Sequence, residues 1–155
     1  MINKDSVFDD MNYRFVWSKN ILMNCFGQTE EIALMVDGEE DGIFEDEQYE
    51  AYQCLIENWE GLQHTFLEAI LEYYIRTRHE LGYDVEENDY YPLVATKEQL
   101  SHMITLTGIT VPYAGLYGGR SIGVGFDCSW NIENGVGIRL SDEKIIGVGY
   151  QDITA

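Results

Sequence analysis

The sequence predicts an α+β domain, in which an antiparallel sheet made of a carboxy-terminal meander plus amino-terminal strands carries a long central helix or helical pair on one face. Three observations predict it. Large apolar residues recur at three- or four-residue steps from Tyr49 to Tyr74, the period of a helix face. Four short runs rich in branched residues, separated by turn residues, fill the last third, as strands of a meander do. Two further runs of that kind precede the helical stripe. With 155 residues, 45% of them hydrophobic, one domain over residues 1–155 with a real core is expected.

Taken in order, Tyr13-Arg14-Phe15-Val16-Trp17 alternates large apolar and other residues and reads as a strand, as does Glu31-Ile32-Ala33-Leu34-Met35-Val36. Asp37 to Glu47 is an acidic turn containing Gly38 and Gly42. Tyr49, Tyr52, Ile56 and Trp59 then form the first part of the helical stripe, which resumes through Leu62, Phe66, Ile70 and Tyr74 to about Leu81. Gly61 is expected to break or kink it, and Gly82 to stop it. A second acidic loop, Asp84 to Asp89, leads to Pro92. Thr96 with Gln99 three residues on has the form of a capping box for a short helix through Met103. The predicted strands that follow are Ile104 to Val111, Ser121 to Cys128, Gly135 to Leu140 and Lys144 to Tyr150, with turns at Asn131 to Asn134 and Ser141-Asp142-Glu143.

The charge is uneven. The formal net charge is −19, and between Lys19 and Arg76 there are fourteen acids and no Lys or Arg. Repulsion on this scale opposes compaction, while 13% aromatic content, including eleven Tyr, separates the chain from acidic disordered sequences. A surface of one sign speeds association with an oppositely charged partner and can mimic nucleic-acid phosphate. The expected partner is therefore a basic protein, such as a toxin or nuclease. Direct contact with DNA or RNA is not expected, because phosphate contacts need Lys and Arg. The alternative for such a surface is simply a solvated face that aids solubility.

The opening Met1-Ile2-Asn3-Lys4-Asp5 leads into acids rather than an apolar run, and no stretch approaches membrane-spanning length. A cytoplasmic address without a signal peptide or membrane contact is expected. Cys25, Cys54 and Cys128 are odd in number and widely spaced, which suits three core thiols in a reducing compartment.

The sharpest local motif runs from Asp37 to Gln48 and nearly fits a calcium-binding EF-hand loop, with oxygens at loop positions 1, 3, 5 and 9 and glycine at 6. It fails at position 12, where Gln48 replaces the bidentate glutamate. His64, His79 and His102 have no Cys or His at metal-ligand spacing, so no metal and no cofactor is expected. Cys128 beside Asp127 lacks anything to complete a triad. Gly115, Gly118, Gly119, Gly123 and Gly125 are followed by no Lys-Ser or Lys-Thr, which removes a phosphate loop and leaves close strand packing or a bulge. With 28 acids some pair always lies at glycosidase spacing, so a hydrolase stays open as an alternative. No catalytic residue is assigned.

The run Gly123-Val124-Gly125-Phe126-Asp127-Cys128-Ser129-Trp130-Asn131-Ile132-Glu133-Asn134-Gly135-Val136-Gly137-Ile138-Arg139, with Val148-Gly149-Tyr150-Gln151-Asp152 after it, resembles the ending of a family of uncharacterised bacterial domains. Gln48-Tyr49-Glu50-Ala51-Tyr52, opening a helix that closes on Tyr73-Tyr74, is similar too. Such domains look like the small acidic immunity proteins of bacterial toxin systems, which implies an inhibitor that binds and neutralises a cognate toxin. The expected function is thus an immunity-type inhibitor that binds through Asp37, Glu39, Glu40, Asp41, Glu45, Asp46 and Glu47. A phage-type phosphate mimic that blocks a nucleic-acid-binding defence protein is the alternative.

Overall fold

Eight strands form one sheet in the order of the sequence in the computed structural model of the chain. The structure describes residues 2–5, 8–14, 16–83, 89–114 and 119–154. The strands are β1 (Ile2–Asp5), β2 (Asp9–Arg14), β3 (Val16–Cys25), β4 (Gln28–Val36), β5 (Ile104–Val111), β6 (Ser121–Cys128), β7 (Val136–Ser141) and β8 (Lys144–Gly149). Helices α1 (Asp46–Glu57), α2 (Trp59–Glu80) and the short α3 (Lys97–Ser101) lie between β4 and β5. Neighbouring strands are antiparallel, except that β4 and β5 run parallel. The fold is α+β, with one parallel pair where a wholly antiparallel sheet was expected. The reason is the helical crossover, which is long enough to bring the chain back to the starting end of the sheet.

The amino-terminal strands differ from the expectation. Tyr13 and Trp17, read as one strand, are cross-strand partners on β2 and β3; Phe15 lies outside the described residues. The expected strand Glu31–Val36 is the second half of β4. It is joined to β3 by a two-residue turn at Phe26 and Gly27, both with positive φ, as a type I′ hairpin demands. Phe8 is buried among the rings of Phe44, Tyr49 and Tyr52, with centroids 5.1 to 5.4 Å away, so the first hairpin leans on α1.

The helical stripe is half right. Leu62, Phe66, Ile70 and Tyr74 of α2 are all buried as expected, and each such side chain contributes about 1.5–3 kcal/mol. On α1 the buried positions are instead Gln48, Ala51 and Leu55, while Ile56 is exposed. The tyrosines at 49 and 52 face the first hairpin, a neighbour that helical spacing does not reveal. The break between helices is at Asn58 rather than Gly61: Asn58 takes φ −104 and ψ 9, and its side-chain amide donates to the Cys54 carbonyl at 2.8 Å. Gly61 lies in the first turn of α2. Gly82, with φ +84, ends that helix as expected. The Thr96–Gln99 capping box is present, and α3 ends at Ser101. The loop residues 84–88 lie outside the described residues.

The carboxy-terminal meander forms as expected, with Phe126, Trp130 and Ile138 buried. Its irregularity is on β5, where the register shifts between Leu106 and Gly108, rather than at the glycines of β6. Gly115 and Gly118 lie outside the described residues. A 3₁₀ turn (Gln151–Thr154) closes the sheet, and the Gln151 amide donates to the Phe126 carbonyl. This contact requires glycine at 135: its φ is +61, and a Cβ there would sit 2.5 Å from both the Phe126 oxygen and the Gln151 amide. Among the described residues no helix is long and apolar enough to cross a membrane.

Candidate functional site

Helices α1 and α2 turn one side to the sheet and the other to solvent, so the base-free interval of the sequence becomes one side of the protein. Of its fourteen acids, Glu30 and Asp37 are half-buried and the other twelve are exposed. They come from three sources. Glu39, Glu40, Asp41 and Glu45 stand on the loop after β4; Asp46, Glu47, Glu50 and Glu57 on α1; Glu60, Glu68 and Glu72 on α2. Two bases from elsewhere reach this surface. Lys97 pairs with Glu68 at 3.3 Å, and Arg120 lies 4.0 Å from Glu50 and 2.9 Å from Glu143. Such exposed pairs add little stability, and both bases are already engaged, so the surface keeps its negative sign.

The loop itself divides the seven candidate residues into two groups. Asp37, Glu39 and Glu45 tie the loop to the segment after β5. The Asp37 backbone N–H donates to the Val111 carbonyl at 3.0 Å, the Tyr113 hydroxyl to the Glu39 carboxylate at 3.2 Å, and the Ala114 N–H to the Glu45 carboxylate at 3.1 Å. The Trp17 indole, fully buried, donates to the Glu39 carbonyl at 2.8 Å. Glu40, Asp46 and Glu47 are exposed, and Asp41 is exposed while its carboxylate caps the Ile43 N–H at 3.0 Å. Gly38 fits because a Cβ would meet the Phe44 ring at 2.8 Å and Trp17 at 3.0 Å. The loop is thus a fixed platform rather than a free turn.

Gln48 decides how the EF-hand-like spacing is used. It is buried, and its amide donates to the Asp37 carbonyl at 2.8 Å and towards Val111 at 3.4 Å, while its oxygen accepts the Glu45 N–H at 2.9 Å. The residue at the last loop position therefore faces the sheet, where it joins the ends of β4 and β5 to α1. Among the described residues no group of three or more His, Cys, Asp or Glu is placed to hold a metal ion.

Burial holds the Asp37 carboxyl above its ordinary value, although the N–H of Tyr113 and the guanidinium of Arg139 both pull the other way. A carboxyl raised in the folded state weakens the fold when ionised, and the penalty lifts as pH falls through the window between the raised value and 3.8. Compared with an Asp37→Asn variant, the wild type is therefore expected to gain stability as pH falls from 7 towards 4, measured by urea unfolding at several pH values. A difference independent of pH would remove burial as the cause.

The thiols are not uniform. Cys25 and Cys128 are buried, and burial pushes them up to about 12 and about 11, which makes them poor nucleophiles. Cys54 corrects the expectation of three core thiols, since it is half-buried and hydrogen-bonded to Glu143, which raises it. His64, His79 and His102 are exposed and far apart in the fold's elements.

Residues 7–155 match a family described as a domain of unknown function, DUF6985. The chain belongs to the DUF6985 family. No curated protein and no solved structure matches it. The match takes in the acidic loop, all three helices and the sheet from β2 onward. In this DUF6985 chain two features escaped sequence reasoning. One is the Arg120–Glu143 pair, which depends on Asp142 and Glu143 both adopting positive φ in the β7–β8 turn; the short Ser-Asp-Glu turn was the available signal. The other is the stretch of β3 beyond Ser18, whose Ile21-Leu22-Met23 lacks the alternation that marks a strand.

Proposed function

We propose that this domain is a non-enzymatic binding protein that presents the acidic side of its helical layer to a basic protein, as an immunity-type inhibitor does to a toxin or nuclease. The observation that supports it is the set of twelve exposed carboxylates on a rigid loop and two packed helices, with both nearby bases already paired. At physiological salt the Debye length is about 8 Å, so carboxylates on adjacent helix turns act together on an approaching cation. A field of this kind raises the association rate more than it lowers dissociation.

The test is kinetic. Once a partner is recovered from the native host, association is expected to slow steeply as salt rises. Replacing Glu39, Glu40 and Asp41 together by Lys is expected to slow it by about tenfold or more at low salt, with dissociation changing less. The three side chains are exposed, so circular dichroism should report an unchanged fold. Association rates that are equal at both salts, for wild type and variant alike, would reduce the acidic side to a solubility surface.

A further inference from the structure

We infer that the free edge of β3 between Asn20 and Asn24 is a docking site for an extended, basic segment of the partner protein, which adds a strand there; this rests on the acidic-face reading above. Pairing of β2 with β3 stops at Ser18, whereas pairing of β3 with β4 continues without a shift from Trp17 to Cys25. Among the described residues, β3 beyond Ser18 is therefore paired on one side only. The two-residue turn makes Cys25 and Gln28 a hydrogen-bonded pair. By alternation Met23 and Ile21 then bond to β4, while Asn24, Leu22 and Asn20 turn their backbone groups outward. The Trp59 indole donates to the outward Asn24 carbonyl at 2.7 Å, which fits that direction.

Edges of this kind are normally blunted by Pro, Lys or a bulge, and Asn20-Ile21-Leu22-Met23-Asn24 has none of these. Beside it lies a groove of about 260 Å³ between β3 and the α1–α2 junction, lined by Leu22, Met23, Ile56, Trp59, Glu60 and Gln63. Leu22 is 72% exposed and Ile56 40%, so the groove offers apolar walls to solvent. Its volume falls below that of most small-molecule sites and suits a side chain. The walls are fixed in advance: besides the Trp59 bond, the Gln63 side chain accepts the Phe26 N–H at 2.9 Å.

Charge selects the occupant. Every lining residue comes from the interval without Lys or Arg. Glu60 lines the groove, Glu57 is exposed next to Ile56, and the exposed Glu31 is the cross-strand partner of Leu22. An added strand would thus place alternate apolar side chains in the groove and Lys or Arg against these carboxylates, the mode in which main-chain bonds give affinity and pockets give specificity. A second copy of the chain would bring the same acids together and be repelled.

The probe is a synthetic peptide of about ten residues alternating Lys and Leu, compared with the same peptide N-methylated along one edge and with oligolysine of equal length. The expected result has three parts: amide exchange at Asn20 and Leu22 slows by about tenfold or more, N-methylation weakens binding by about tenfold, and Leu22→Lys does the same. Equal binding of all three peptides, with unchanged amides, overturns the edge site while leaving the acidic-face reading in place. Binding of none of them at low salt overturns both. Protection of the same amides by self-association without peptide also overturns the proposal, because the occupant is then a second copy.

Discussion

Changing Gln48 to Glu is expected to destabilise the fold by about 3 kcal/mol or more, the scale of an uncompensated buried charge. The amide at this position donates to two backbone carbonyls, those of Asp37 and Val111, and accepts the Glu45 N–H. A carboxylate keeps the acceptor but turns the donor into a second anionic oxygen held against those carbonyl oxygens. The loss should ease as pH is lowered, since a protonated carboxyl restores a donor. The same substitution separates two readings of the loop. In an EF-hand the glutamate would complete the calcium ligands, so calcium should rescue the variant; here Gln48 faces the sheet, so added calcium is expected to leave its denaturation midpoint unchanged. Calorimetry of the wild type should likewise give no micromolar calcium isotherm. Rescue by calcium would mean that position 48 can swing outward.

Phe126→Ala is expected to cost about 3–5 kcal/mol, the range for a buried aromatic truncated to a methyl group. Phe126 is fully buried on β6, stacked with Phe26 at 6.0 Å and edge-on to Phe66 of α2 at 6.3 Å. It thereby joins the β3–β4 turn, the long helix and the meander, and no single one of these elements can close the space it leaves. Its carbonyl also holds Gln151, a backbone contact the substitution does not remove, so the cost should come from the lost ring and its cavity. Denaturant unfolding would measure it; a loss below about 1 kcal/mol would show that the surroundings collapse onto the site.

How much of this was legible in advance depends on whether the signal is local. The stop at Gly82, the Thr96 cap and the meander strands are each encoded within a few residues, and all appear where the local chemistry put them. Ile56 was read as core because helical spacing treats the apolar residues of a stripe alike. It is exposed because the sheet meets α1 at Ala51 and Leu55, one helix face away. Gln48 was read as a missing calcium ligand because its neighbours in sequence are acids, while its partners in space include Val111, 63 residues away. The acidic loop was legible in composition, yet nothing local could divide it into Asp37, Glu39 and Glu45, which tie the loop down, and Glu40, Asp46 and Glu47, which remain open.

The sequence by itself determined that the chain folds as α+β, where most helices and strands begin and end, and that one stretch is negative throughout. These follow from period, turn chemistry and composition, which act over a few residues or by simple addition of charge. Only the tertiary structure decided that the negative stretch becomes one side of the protein, that β4 and β5 run parallel, and that β2 leaves β3 at Ser18. Each of these depends on which distant surfaces bury one another. That is settled by area removed from water across the whole core, with the first hairpin drawn towards α1 by Phe8 and so away from the edge it would otherwise cover.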